Sequence, residues 1–132
     1  MNRSDIAQRY RNYIACLNGQ EWARLGDFVA DDVSYNGERI GLCGYRSMLE
    51  ADFEAIPDLS FNIAMLVSEP PVVASRLDFS CTPKAMLFGL PVNGRTVSFS
   101  ENVFYEFADG RIVSVWSVID KAAIAAQLAA TV

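Results

Sequence analysis

Apolar positions recur every three or four residues through the first half of the chain, then alternate one by one beyond Leu59. That change of period separates a helical part from a strand part. Ile6, Tyr10, Tyr13, Ile14 and Leu17 fall on one side of a helix predicted over residues ~4–18, with Ser4 as its N-cap and Asn18-Gly19 as its end. A second short helix is predicted over ~20–29, with Trp22, Leu25, Phe28 and Val29 on one side. Asp31-Asp32 breaks the pattern, and Val33 to Asn36 reads as a short strand closed by Gly37. After Gly41 and Gly44, Met48, Leu49, Phe53 and Ile56 have the spacing of a third helix over ~45–56, stopped by Pro57-Asp58.

Four strands follow, over ~59–68, ~72–83, ~96–107 and ~111–120. Glu69-Pro70-Pro71 and Ala108-Asp109-Gly110 supply turn chemistry between neighbours. A last Ala-rich helix starts near Lys121 and points Ile124 and Leu128 inward. Helices first and a strand meander second imply one α+β domain, with helices packed on one face of a curved antiparallel sheet. The connection from Lys84 to Gly94 is long for a hairpin and carries Met86, Leu87 and Phe88. It suits a lid or pocket rim, and equally a packing loop.

Composition narrows the chemistry. The 132 residues suffice for one domain with a real core. No apolar run reaches membrane-spanning length, and the start leads into a helix with Arg9 and Arg11 rather than a signal-peptide core, so a cytoplasmic protein is expected. The net charge of −5 argues against a nucleic-acid partner. Cys16, Cys43 and Cys81 fit neither a disulfide framework nor a zinc site. Histidine is absent, which removes Ser-His and Cys-His machinery and the commonest metal ligand. Acid–base work then falls to carboxylates, Tyr, Lys or water.

Strand alternation puts Trp116, Val118 and Asp120 on one face of the last strand. A carboxyl beside such apolar neighbours is costly to ionise, which suits proton transfer near neutral pH. Asp120 also suits the N-cap of the last helix. Glu101 is the one charged residue on the face shared by Val97, Phe99, Val103, Tyr105 and Phe107. If that face lines a cavity, Glu101 is a buried second carboxylate near Asp120; if Ser98, Ser100, Asn102 and Glu106 face inward, it is not. Arg76, with Asp78 on the same side, reads as a paired surface residue or as a substrate-orienting cation. Trp116 packs in the core or lines a pocket wall with Val118. Tyr35, Asn36 and Tyr45 are candidates for hydrogen bonds to a ligand, and Phe88 for contact from the loop. Val113, Val115 and Ile119 occupy the opposite face of the last strand, so both faces are apolar. The outer one needs cover, and a homodimer through the outer sheet face is expected.

Several segments, in this order, resemble the SnoaL-like polyketide cyclase and ester cyclase family of the nuclear-transport-factor-two-like superfamily. They are Ala30-Asp31-Asp32-Val33, Gly41-Leu42-Cys43-Gly44-Tyr45, Ile56 to Phe61, Phe88 to Arg95, Asp109 to Val113, and Trp116 to Asp120. The resemblance implies a cone-shaped, cystatin-like fold, with the N-terminal helices on the concave face of the sheet. It implies Asp120 as general acid/base in an intramolecular aldol-type ring closure of a polyketide ester, without metal or cofactor. The family's frequent Gly-Thr-His stands here as Cys81-Thr82-Pro83, and Pro83 has no polar side chain to offer a substrate. Two other uses of the fold remain open at this point. One is an isomerase or epoxide-hydrolase type of enzyme. The other is a non-catalytic binder or scaffold for a hydrophobic small molecule.

Overall fold

The computed structural model describes residues 1–130. Helix α1 (Arg3–Asn18) starts one turn earlier than its apolar stripe because Asn2, not Ser4, caps it: Asn2 Oδ1 accepts from the Asp5 amide at 2.8 Å. The expected second helix contracts to a 3-10 turn at Trp22–Asp27, and the chain passes directly into strand β1 (Val29–Tyr35). Strand β2 (Glu38–Arg39) folds back on β1, and helix α2 (Gly41–Ala55) begins earlier than its apolar stripe predicts.

Strands β3 (Asn62–Glu69) and β4 (Val72–Cys81) form a hairpin. The long connection then holds its own small hairpin, β5 (Met86–Leu87) and β6 (Leu90–Pro91). Its tip, Phe88-Gly89, has φ of 52° and 78°, the left-handed pair that a two-residue hairpin turn requires. Strand β7 (Val97–Ala108) turns at Asp109-Gly110 into β8 (Arg111–Ile119), and helix α3 (Lys121–Ala129) closes the described chain.

The main sheet has the order β2-β1-β8-β7-β4-β3. It is a curved, unclosed sheet, and the expected α+β class holds. Its neighbours are antiparallel except β1 and β8, which run parallel, a pairing the meander pattern does not announce. Apolar side chains of α1 and α2 pack on the concave face in one continuous core, with Tyr10 and Tyr13 against Tyr105.

Alternation assigns the faces of β4 and β7 without ambiguity. Val73, Leu77 and Phe79 of β4 and Val97, Phe99, Val103 and Tyr105 of β7 are buried, so Glu101 shares the concave face. On β8 the alternation fails once. The register steps from Phe107 opposite Ile112 to Glu106 opposite Ser114, which leaves Val113 as a bulge. Ile112 faces inward before the bulge, and Val115 and Ile119 face inward after it. The expected faces of the last strand are therefore exchanged. Trp116 and Val118 stand on the outer face, 45% and 69% exposed. Val115 and Ile119, assigned to the outer face from the sequence, are inside.

Candidate functional site

A cavity of about 180 Å³ opens between the helices and the concave face. Phe79 of β4 and Phe99 of β7 stack in its wall with ring centroids 5.1 Å apart. Phe61 meets Phe79 edge-on at 5.4 Å, and Phe88 meets Phe99 edge-on at 6.2 Å. The small hairpin thus forms part of the rim, with Leu87 and Phe88 both on the cavity wall. Lys121 Nζ sits over the Phe88 ring, 5.5 Å from its centroid. Rings and aliphatic chains make most of this surface, which suits a flat hydrophobic ligand.

The polar groups in the cavity are few: the carboxyls of Asp52 and Glu101 and the phenols of Tyr13, Tyr35, Tyr45 and Tyr105. Glu101 enters from the middle of β7. Burial pushes its pKa up, the Ser117 hydroxyl that donates to Glu101 Oε2 pulls it partly back, and the Asp52 charge pushes it up again. Asp52 enters from α2, at the mouth. Solvent reaches its side chain there, yet apolar groups crowd most of the space around the carboxyl, and this desolvation pushes its pKa up to about 6. Neither carboxylate has a salt-bridge partner among the described residues.

The sequence-based candidates divide between the two faces of the sheet. Glu101, Tyr35, Tyr45 and Phe88 meet in the cavity. Asp120 does not. Its Oδ1 accepts from the Ala123 amide at 3.1 Å as the N-cap of α3, and it borders a shallow outer groove with Arg76, Asp78 and Ser100. The N-cap alternative is the one realised, because the bulge at Val113 turns the Trp116, Val118 and Asp120 parity outward. Arg76 leaves the outer face as well and donates to Asn102 Oδ1 at 3.1 Å; Asp78 accepts from Ser100 Oγ at 2.8 Å instead of pairing with it. Asn36 stands outside the cavity, where its Oδ1 accepts from the Ser117 amide at 2.7 Å and its own amide donates to the Val115 carbonyl at 2.8 Å. It ties the end of β1 to β8 and holds the residue whose hydroxyl meets Glu101.

Asp52 is the site residue that the sequence reading passed over, although a signal was present. It lies three residues after Leu49 and four before Ile56, on the apolar stripe of α2. The second carboxylate of the cavity is therefore Asp52 rather than Asp120. Among the described residues no three Asp, Glu or Cys side chains gather closely enough to hold a metal ion. No helix among them is long and apolar enough to cross a membrane.

The Ser117 hydroxyl makes a prediction here. In Ser117→Ala the carboxylate of Glu101 loses its donor, so its pKa is expected to rise further above the ordinary glutamate range. A carboxyl-carbon NMR titration checks this, and an unchanged Glu101 midpoint would show that the contact does not hold the ionised form.

The SnoaL-like polyketide cyclase family matches residues 7–128. A crystal structure of a SnoaL-like polyketide cyclase from Agrobacterium tumefaciens is 49% identical, with 97% of this chain and 99% of that chain covered at a TM-score of 0.93. TsrD from Streptomyces laurentii is 23% identical over 99% of both chains at a TM-score of 0.84. IdmH from Streptomyces antibioticus is 20% identical over 94% of this chain and 98% of that one, at a TM-score of 0.81. The last two are likenesses of fold alone. Among curated proteins, none matches the chain.

Proposed function

The chain belongs to the SnoaL-like polyketide cyclase family, and from that membership we propose an enzyme that moves protons on a hydrophobic carbonyl compound, with Asp52 and Glu101 as its acid–base pair. The observation that carries this reading is the pair itself: two carboxylates with raised pKa in one aromatic cavity. With a pKa near 6, Asp52 is largely ionised at neutral pH and remains a competent base. Glu101 lies on the same cavity wall, its pKa also raised by burial, and we assign it the proton-donor role in its protonated form.

For a polyketide ester the chemistry is an intramolecular aldol closure. Asp52 takes a proton from a carbon next to a carbonyl, and the C–H electron pair becomes an enolate. The enolate carbon attacks a second carbonyl carbon of the same molecule. A new C–C bond forms, and the resulting alkoxide takes its proton from Glu101. Electrons stay within the substrate, so the sequence needs no redox partner. Three free cysteines are compatible with a reducing, cytoplasmic setting for this reaction. A second copy of the chain is the expected partner of the outer sheet face.

The test needs no guessed natural substrate. 2-Tetralone, a flat aromatic ketone, exchanges its α-protons slowly in D₂O, and proton NMR follows the loss of signal. The parent protein is expected to accelerate exchange over buffer. Asp52→Asn is expected to lose about two orders of magnitude, and Glu101→Gln, whose group protonates only the alkoxide of the ring closure, far less. Asp120→Asn, which keeps a capping side chain on the other side of the sheet, is expected to retain the parent rate. Binding of the ketone with no acceleration by the parent would sink the enzymatic reading and leave a small-molecule binder.

A further inference from the structure

A negative charge that develops on a substrate oxygen in this cavity finds no lysine, arginine or histidine on the wall. The two carboxyls make the surroundings more hostile to an anion, so its stabilisation must come from neutral donors. The cavity holds one pair built for that. Tyr13 of α1 and Tyr45 of α2 approach with their hydroxyl oxygens 2.6 Å apart, although they lie far apart in sequence. Both side chains are buried, 1% and 3% exposed, and both border the cavity.

The pair has two hydroxyl hydrogens and one hydrogen bond between them. No other hydrogen bond of either hydroxyl occurs among the described residues. One hydrogen is therefore unspent, in a buried place where an unmade bond is costly. Tyr13 is walled in by the rings of Tyr10, Tyr105 and Phe28 at 6.0, 5.8 and 6.5 Å. Tyr45 faces Tyr35 at 6.4 Å, on the cavity side. Either oxygen can be the donor of their mutual bond; with Tyr13 as that donor, the Tyr45 hydrogen is left for a ligand. Burial raises the pKa of both phenols well above the ordinary tyrosine range, and the nearby carboxylate of Glu101 adds to this. Both are therefore protonated, and hence donors, near neutral pH.

We propose that Tyr45 donates the hydrogen bond that holds the enolate oxygen of the substrate, and that Tyr13 positions and strengthens that donor. The assignment rests on the proton-transfer reading above. As the C–H bond breaks toward Asp52, the electron pair moves into a C=C bond and the carbonyl oxygen takes the charge. The Tyr45 O–H meets that oxygen without transferring its proton. The accepted bond from Tyr13 polarises Tyr45 and makes it the stronger donor. The substrate class this selects is a planar carbonyl compound whose oxygen, rather than an ionised carboxylate, reaches the floor of the cavity.

A planar phenol is a stable stand-in for the enol and its anion, and its ultraviolet spectrum reports whether it is ionised. The probes are 2-naphthol and ring-substituted 2-naphthols of graded acidity. The host is Asp52→Asn, which imitates the cavity after the base has taken its proton. Bound naphthols are expected to be ionised to a greater extent than in water at the same pH. In Asp52→Asn/Tyr45→Phe that excess is expected to vanish, and in Asp52→Asn/Tyr13→Phe to shrink by about tenfold in the ionisation constant. In the otherwise wild-type chain, Tyr45→Phe is expected to slow tetralone exchange by about 10²–10³-fold in kcat with little change in KM. Tyr13→Phe is expected to lose about tenfold, again in kcat.

Equal ionisation with and without the Tyr45 hydroxyl would overturn the assignment, whatever the exchange rate. So would failure of every naphthol to bind, because a floor built for an enolate oxygen must accept its planar mimic. Naphtholate stabilised through Tyr45 in a protein that exchanges no ketone proton would uphold the donor pair and overturn the proton-transfer reading alone. If Tyr45→Phe fails to fold, the Tyr13→Phe ionisation series decides. A downfield hydroxyl proton in the NMR spectrum of the naphtholate complex of the Asp52→Asn host supports the assignment in that case, and its absence counts against it.

Discussion

At pH 8, Asp52→Asn is expected to melt at a higher temperature than the parent while exchanging ketone protons about a hundredfold or more slowly. Both effects follow from the same desolvated carboxyl. In the fold Asp52 titrates near 6, above its ordinary value of 3.8. The folded chain therefore holds this proton more tightly than the unfolded chain does. The contribution of the group to stability is complete below pH 4, falls as the pH rises from about 4 through 6, and stays low above that. Asparagine carries no charge to desolvate, so the variant escapes the loss. Solvent at the mouth screens the carboxylate, which limits the gain to about 1 kcal/mol, or about 4 °C for a chain of this size. At pH 4 the gain should be absent. The parent's exchange rate should rise with pH through about 6 as the base ionises. A melting difference that is the same at pH 4 and pH 8 would show that the carboxyl is not desolvated, and would remove the argument for Asp52 as the base. A carboxyl that destabilises the fold where it is ionised fits the trade of stability for activity expected at a reacting group.

The division between what the chain announces and what it conceals has a physical basis in particular residues. The change of hydrophobic period at Leu59 and the Asp109-Gly110 turn are local signals, and they place the helices, the long strands and the last hairpin. Glu101 was legible for the same reason. It interrupts a strand face that is otherwise apolar, on a strand without a bulge around it. The last strand gave no such purchase. Its two faces are equally apolar, and a single inserted residue at Val113 decides which of them meets the cavity. Parity read without that bulge sends Trp116, Val118 and Asp120 inward, when they belong outside. Asp52 was hidden differently: a helical stripe tolerates an interruption, so one carboxylate within it attracts little notice. The Tyr13 and Tyr45 contact and the parallel pairing of β1 with β8 are long-range products of the closed fold. No spacing along the chain encodes either one.

Trp116→Glu is expected to convert a homodimer into a monomer without disturbing the fold or the cavity. The correction on β8 changes which residues would make the dimer, and it strengthens the case for one. Met65 and Val67 of β3, Phe104 of β7, and Trp116 and Val118 of β8 all leave the outer face, each between 45% and 69% exposed. Phe104 and Trp116 are direct cross-strand partners. Together these side chains expose roughly 500 Å² of apolar surface, near the upper end of what a lone soluble domain shows. A standard interface takes about 800 Å² from each partner, and the polar side chains of Arg76, Asp78, Asn102 and Ser100 border the patch to supply the rest. Arg76 and Asp78 give the rim both signs of charge, so a two-fold arrangement can set each against its opposite in the second copy. A glutamate in the middle of that face would be buried without a cation, and two copies would bring like charges together. The loss is that of an interfacial anchor, about 30-fold or more in the dimerisation constant. The parent should scatter light as twice the chain mass at micromolar concentration, and Trp116→Glu as a single chain with unchanged circular dichroism. Tetralone exchange should survive, since the cavity opens on the other side of the sheet. A monomeric parent would leave this face to water and remove the second copy as its occupant.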